Sequence, residues 1–131
     1  MGNGMTEPLI LTYNLDKPQM LKLIFVCAQL KIRCLNVQRS DYAQPLAALA
    51  GLRSRTGAVY GGEGFAEEML VMVNFTGQLL QAFLEALRRG KVPTIALKAV
   101  LTPTNEVWDS IQLHDELLRE HNAMHGNRKE R

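Results

Sequence analysis

A strand–helix–strand pattern occurs twice in this chain, and no other feature of the sequence restricts the fold as much. Leu9–Tyr13 is apolar and β-branched enough for a strand. Asp16-Lys17-Pro18-Gln19 then spells a capping box, with Asp16 as N-cap and Gln19 reaching back from the third helical position. Met20, Leu23, Ile24, Cys27, Ala28 and Leu30 follow on helical spacing, the helix closes near Lys31, and Ile32–Val37 reads as a second strand. The pattern restarts at Met69-Leu70-Val71-Met72-Val73, a run without a polar break that predicts a central strand covered on both faces. Thr76 is the expected N-cap, and Leu79, Leu80, Phe83, Leu84 and Leu87 form the apolar stripe. Arg88 and Arg89 suit the negative end of the helix dipole, Gly90 fits the C′ position, and Pro93 blocks continuation before a strand over Thr94–Leu101. A shift of sixty residues aligns Asn14 with Asn74, Met20 with Leu80, Ile24 with Leu84, Cys27 with Leu87 and Ile32 with Val92.

Two βαβ halves with right-handed crossovers predict an α+β, ferredoxin-like βαββαβ sandwich. To it are added a C-terminal helix and a long Gly-rich loop between the halves. At 131 residues the chain is one domain. It divides into a first half (9–37), a connecting segment (38–68), a second half (69–101), and a loop with the C-terminal helix (102–125). A net charge of +2 excludes a strongly basic nucleic-acid binder, and the apolar runs are too short to span a bilayer. Neither nucleic acid nor membrane is an expected partner. The start MGNGMTEP lacks the apolar stretch of a signal peptide, so a cytoplasmic location is expected. Gly2 followed by Thr6 fits the short N-myristoylation pattern, which arises easily by chance. Cys27 and Cys34 are too few for a disulfide framework and read as small buried hydrophobes.

The connection of about thirty residues between the halves is long for a compact domain. Pro45–Gly51 predicts a short helix, and Arg53–Phe65, with four glycines, predicts a mobile loop. On the fourth strand Ile95, Leu97, Ala99 and Leu101 should share one face. Thr94, Ala96, Lys98, Val100 and Thr102 form the other, a half-apolar face that the C-terminal helix, the connection or a second subunit would cover. Asp109-Ser110-Ile111-Gln112 repeats the capping grammar ahead of a helix to about Met124, with Leu113, Leu117, His121 and Met124 on one stripe. The tail Gly126–Arg131 should fray.

His114, His121 and His125 fall near one helix face, but no cysteine or carboxylate completes a ligand set, so no metal and no cofactor is expected. The loop Gly57–Gly64 lacks the Gly-Lys-Ser/Thr ending of a phosphate-binding loop, although Arg53 and Arg55 beside it are positioned in sequence to hold an anion. Glu67 and Glu68 are neighbours on a strand edge and should point to opposite faces, not pair. No Ser-His-Asp or Cys-His arrangement has supporting context. The segment Lys98–Trp108 carries the best site: a lysine on a strand, then hydroxyls and amides on a polar loop, then the single tryptophan. Thr102, Thr104 and Asn105 serve equally well to satisfy a turn, and Trp108 to plug the core.

Asp41-Tyr42-x-x-Pro45-Leu46-x-x-Leu49-Ala50-Gly51, Glu68-Met69-Leu70-Val71, the string Leu97–Asn105 with Trp108, and Glu116-Leu117-x-x-Glu120-His121 together resemble a known family. It is a bacterial domain-of-unknown-function family (number thirty-seven eighty-three), and the resemblance runs from Tyr42 to His121. Leu-Lys-Ala-Val-Leu-Thr-Pro-Thr-Asn is its most specific part. The resemblance implies a small cytoplasmic protein and no particular activity. It directs attention to Asp41–Gly51 and Lys98–Trp108, which would approach each other at one end of the sheet. The expected function is a non-enzymatic ligand-sensing or regulatory module acting as a homo-oligomer. Tyr42, Lys98, Thr102, Thr104, Asn105 and Trp108 would hold a small anionic ligand. The alternatives are a small enzyme using Lys98 or His121 as acid/base in the same cleft, and an adaptor that docks a protein through loop 53–65.

Overall fold

The computed structural model describes residues 6–129, with side-chain surroundings as far as Met124. Met1–Met5, Glu130 and Arg131 lie outside it, and with them the myristoylation pattern at Gly2. The elements are β1 (Leu9–Tyr13), α1 (Lys17–Leu30), β2 (Arg33–Asn36), α2 (Leu46–Leu49), β3 (Met69–Val73), α3 (Gly77–Arg89), β4 (Leu97–Val100) and α4 (Ser110–Lys129). A 3-10 turn at Arg39–Asp41 joins β2 to α2. The fold is α+β with one mixed sheet in the order β2-β1-β3-β4. As expected, the first and third strands are central, and every residue of both is buried.

The arrangement departs from the ferredoxin-like one. In that fold the βαβ unit is split, with a strand of the other half between its two strands. Here β1 lies directly beside β2 in parallel, β3 beside β4 in parallel, and the halves meet through the antiparallel pair β1–β3. Hydrophobic periodicity defines a βαβ unit without saying whether its strands are adjacent or one strand apart. Both arrangements share the central antiparallel pair β1–β3, here unbroken from Leu9↔Val73 to Tyr13↔Met69, and differ only in which edge strand lies beside each.

The sixty-residue repeat is present in the backbone itself. Asn14 and Asn74 take left-handed φ values of 63° and 62°, and Lys31 and Lys91 take 59° and 57°. Asparagine tolerates this region better than most residues because its short amide bonds locally. Each asparagine also clasps the lead-in to the other half's strand. Asn14 Nδ2 donates to the carbonyls of Phe65 (2.7 Å) and Glu67 (3.1 Å), and Asn74 Nδ2 donates to that of Glu7 (3.0 Å). Both helices start as read: Asp16 accepts from Gln19 N at 2.8 Å while Gln19 Oε1 accepts from Asp16 N, and Thr76 Oγ1 accepts from Leu79 N at 3.0 Å.

Two details of the second half differ from the expectation. Gly90 closes α3 in right-handed geometry, and Lys91 is the left-handed residue. The glycine is there for space: a Cβ would meet the Ala86 carbonyl oxygen and Val26 Cγ2, each at 3.2 Å. It lets the end of α3 close against α1. The repeat then breaks after Val92. Leu9 pairs with Arg33, whereas Met69 pairs with Leu97, so Pro93–Ala96 is an insertion and β4 begins later than Thr94. Ile95, freed from the strand, is buried with the α1/α3 core and does not share the face of Leu97.

Both faces of the sheet are covered. Ile10, Leu70 and Met72 pack under α1 and α3 with Leu23, Val26, Cys27 and Phe83. Leu9, Leu11, Tyr13, Met69, Val71, Val73 and Leu97 pack under Tyr42, Leu46 and Leu49 of the connection and Leu113 of α4. Each fully buried large apolar side chain contributes roughly 1.5–3 kcal/mol of transfer free energy. The expected short helix is the plug of this second layer: Leu46, Ala47, Ala48 and Leu49 are all buried, and Gly51 ends the segment at φ 80°. The Gly-rich stretch expected to be mobile has no regular structure, but buried Gln44 stitches it down. Its Nε2 donates to the carbonyls of Thr56 (2.8 Å) and Ala58 (2.9 Å), and its Oε1 accepts from Thr56 N (2.9 Å). Asp109 caps α4 by accepting from Gln112 N at 2.9 Å, and the helix runs on to Lys129, past the expected end near Met124.

Candidate functional site

Asp41–Gly51 and Lys98–Trp108 do approach each other. Leu46 N donates to Trp108 O (2.8 Å), Ala47 N to Glu106 O (2.9 Å) and Ser110 N to Tyr42 O (3.1 Å). The six residues expected to form one site nevertheless fall in different places. Thr102 and Asn105 close a turn on themselves: Thr102 N donates to Asn105 Oδ1 (2.9 Å), Asn105 N to Thr102 Oγ1 (3.2 Å), and Asn105 Nδ2 to Val100 O (3.1 Å). Thr104 is exposed, and Trp108 is half-buried against the layer that holds Tyr42. Lys98 pairs with Leu70, which puts it on the α1/α3 side of the sheet, opposite Tyr42. Its Nζ donates to Ile95 O at 2.8 Å, beside a shallow groove of about 230 Å³ lined by Leu84, Leu87, Arg88 and Val92.

Of the six, Tyr42 is the one that enters a concentrated site. The carboxyl ends of the parallel pair β1 and β2 open into a cleft of about 440 Å³, lined by Asn14, Asn36, Gln38, Arg39, Tyr42, Glu63 and Phe65 among others. Its floor is aromatic. Phe65 lies between Tyr42 (centroids 5.0 Å, 18°) and the His114 ring (3.9 Å, 13°), with Tyr13 at 5.8 Å and Tyr60 against Tyr42 at 5.7 Å. Its walls are polar. Thr12 Oγ1 donates to Asn36 Oδ1 at 3.1 Å and fixes that amide, and Asn14 is held by the carbonyls of Phe65 and Glu67. Burial pushes the Tyr42 hydroxyl above its ordinary pKa, against the pull of the nearby Arg39 guanidinium. Tyr42 therefore stays protonated near neutrality and serves as a hydrogen-bonding group, not as a base.

Under the rim sits a second polar set whose pairing was not read from the sequence. His114 is buried on the first turns of α4, with Nε2 2.7 Å from Glu67 Oε1 and Nδ1 2.9 Å from Asp115 Oδ1. The hydrogen bond from His114 holds the Glu67 carboxyl below its ordinary pKa. Tyr13 Oη and Ser110 Oγ share a buried hydrogen bond of 2.7 Å. Nothing local to Ser110 or His114 signals a partner 97 or 47 residues away. Glu68 points the other way, accepting from Gln19 Nε2 at 3.0 Å, so the two adjacent carboxylates do separate.

The other candidates are occupied elsewhere. Arg53 pairs with Glu106 (2.9 Å) and Arg55 with Asp41 (3.0 Å), so neither is spare for an anion at the glycine loop. Among the described residues no three His, Cys, Asp or Glu side chains gather as a metal site. The side chain of His125 lies outside the described residues. Among the described residues no helix is long and apolar enough to cross a membrane.

Residues 68–124 match the model of a family described as a domain of unknown function (DUF3783). The match spans β3, α3, β4 and most of α4, which supports a relation to an uncharacterised family through the second half of the chain. No curated protein and no solved structure matches. The relation supplies no activity, so the function rests on the geometry.

Proposed function

We propose that this chain is a non-enzymatic small-ligand-sensing or regulatory module, acting as a homo-oligomer, whose ligand binds in the cleft at the carboxyl ends of β1 and β2. The observation that carries the reading is the cleft itself. It combines an arginine (Arg39) and fixed amides (Asn14, Asn36) with an aromatic floor (Tyr42, Phe65), outside the carboxyl ends of parallel strands, where α/β sheets commonly take ligands. Arg39 selects for an anionic group, and the rings accept a flat or apolar body. Glu63 on the same wall disfavours a large polyanion and suits a small molecule with one acidic end. The groove beside Lys98 offers the competing location for an anion, on the other face of the sheet.

Native mass spectrometry of the full chain, purified gently and without a tag, tests the two locations. A retained small molecule should be lost from Arg39→Ala and kept in Lys98→Ala. Loss from Lys98→Ala alone would move the ligand to the α3 groove. Repeated recovery of a bare chain, with no stabilisation by small carboxylates or phosphates, would sink the ligand reading.

The homo-oligomer part draws support from α1. Leu21 (65% exposed), Ile24 (47%) and Phe25 (66%) form a stripe at helical spacing on its outer face. The half-apolar face of β4 expected to be covered by the C-terminal helix, the connection or a second subunit, that of Lys98 and Val100, lies instead on the α1/α3 side, while α4 and the connection cover the opposite face. Light scattering should therefore report an oligomer that Phe25→Glu converts to monomer. A wild-type chain that is monomeric at high concentration would remove this part of the reading.

A further inference from the structure

The exposed stripe of α1 sits in a charged setting, and that setting identifies which surface of a second copy would meet it. Leu21, Ile24 and Phe25 stand out from the helix layer, and Phe25 also walls a groove of about 410 Å³ with Leu30, Ala82, Ala86 and Arg89. The surroundings are basic. α1 carries Lys17 and Lys22 and no carboxylate, and Lys31 follows it. α3 ends on Arg88 and Arg89 with Glu85 as its one acid, and Lys91 follows. Lys22 Nζ donates to Lys91 O at 3.3 Å, which ties the basic end of α3 to α1. Two copies laid α1 to α1 would set these cations against one another, and like charges facing across an interface oppose association. The opposite layer has the reverse sign. From Asp109 to Met124, α4 and its cap carry Asp109, Asp115, Glu116 and Glu120 against Arg119 alone. Arg119 is already paired with Glu116, and Asp115 is exposed. Asp109, Asp115 and Glu116 line a second groove of about 410 Å³ together with Ile111 and Gln112. The overall charge of +2 hides this separation.

We propose that copies of this chain assemble head to tail, the apolar and basic α1/α3 face of one protomer docking on the acidic α4 groove of the next. This rests on the homo-oligomer reading above and names the partner surface within it. An apolar projection with cations at its margin meets a concave acidic groove that holds Ile111. The complementary charges also steer the two faces together and reject the α1-to-α1 alternative. Such an interface is heterologous. A dimer therefore retains one free face of each kind and grows into a closed ring or an open chain.

The test is sedimentation velocity on the full chain, on two variants and on their equimolar mixture. Leu21→Gln with Phe25→Gln removes the α1 stripe without adding charge, and Glu116→Lys reverses the α4 groove. Gln112→Lys, at an exposed position of the same groove, takes the place of Glu116→Lys if that variant folds poorly. The wild type should form oligomers, and each variant alone should be monomeric. The mixture should form a heterodimer and stop there, because one variant still offers its α4 groove and the other its α1 face. Raising salt from about 0.05 M to about 0.5 M should weaken wild-type association at least about tenfold. An oligomer that survives both groove variants, is lost only with the α1 stripe and does not return on mixing would overturn the head-to-tail arrangement and leave the oligomer reading standing. A monomeric wild type would overturn both. A monomeric wild type that pellets with phosphatidylserine vesicles would do the same and give the α1/α3 face to an anionic membrane.

Discussion

Replacing Gln44 with leucine should cost the protein about 2–3 kcal/mol and release the Gly-rich segment. The side chain is 4% exposed, and its amide makes three hydrogen bonds of 2.8–2.9 Å to the backbone of Thr56 and Ala58. Leucine keeps the volume and loses all three. A hydrogen bond of this kind contributes about 1 kcal/mol net. Thr56 and Ala58 are exposed, so their backbone groups recover water once the loop lifts away, which keeps the loss near the sum of three bonds. The melting temperature should fall by about 10 °C. Trypsin should then cut at Arg53 or Arg55 well before the rest of the chain unfolds. A variant with wild-type stability and an uncut loop would mean that Tyr60 N bonded to Ser40 O, and the two surface ion pairs, hold the segment without Gln44. Exposed ion pairs contribute little, about 0–1 kcal/mol each, so that outcome is not expected.

Gln44 also shows where sequence reading stopped. Capping and stop signals are local: Asp16 with Gln19, Thr76 with Leu79 and Asp109 with Gln112 each act within three residues, and each was legible. The sixty-residue repeat was legible too, because the same local demands recur at Asn14 and Asn74 and at Lys31 and Lys91. What was not legible depends on which strands become neighbours. A ferredoxin-like order and the observed β2-β1-β3-β4 order place the same residues on strands with the same apolar alternation. Composition made Arg53–Phe65 read as mobile, and did not reveal that one buried glutamine about a dozen residues away bonds Thr56 and Ala58 of that stretch.

The candidate site divides in the same way. Thr102 and Asn105 were weighed equally as turn residues and as ligand groups, and their side chains are spent on the turn. Lys98 and Tyr42 were grouped because two segments were expected to meet. The segments do meet, but β-strand alternation turns Lys98 to the far face. The cleft itself draws on β1, β2, the 3-10 turn and the end of the glycine loop, so its residues span Asn14 to Phe65 with no shared local motif. His114 was weighed only with His121 and His125 as a metal ligand, and its pairing went unread because the partner is a carboxylate 47 residues away.

Raising the pH above 10 should destabilise the protein steeply, and Tyr13→Phe should remove much of that dependence. Tyr13 is fully buried, its hydroxyl bonded to Ser110 Oγ at 2.7 Å and its ring packed on Tyr42 and Phe65. Burial is the chief cause that raises its pKa above the ordinary value of 10.0, with Tyr42 and Asp109 adding to it and the Ser110 hydrogen bond opposing it. Below pH 10 the folded and unfolded chains both hold the proton, so the favourable contribution of the neutral, buried hydroxyl is complete. Above pH 10 the unfolded chain releases a proton that the folded chain keeps. Stability then falls by about 1.4 kcal/mol per pH unit until the folded-state pKa is reached. Tyr42 is shifted in the same direction and adds to the slope. At neutral pH Tyr13→Phe should itself cost about 1–3 kcal/mol, because it strands the buried Ser110 hydroxyl. Urea unfolding from pH 7 to pH 11 should therefore show the variant starting less stable and the two curves converging above pH 10. Parallel curves across that range would mean that water reaches the Tyr13 hydroxyl in the folded state and that the floor of the cleft is open.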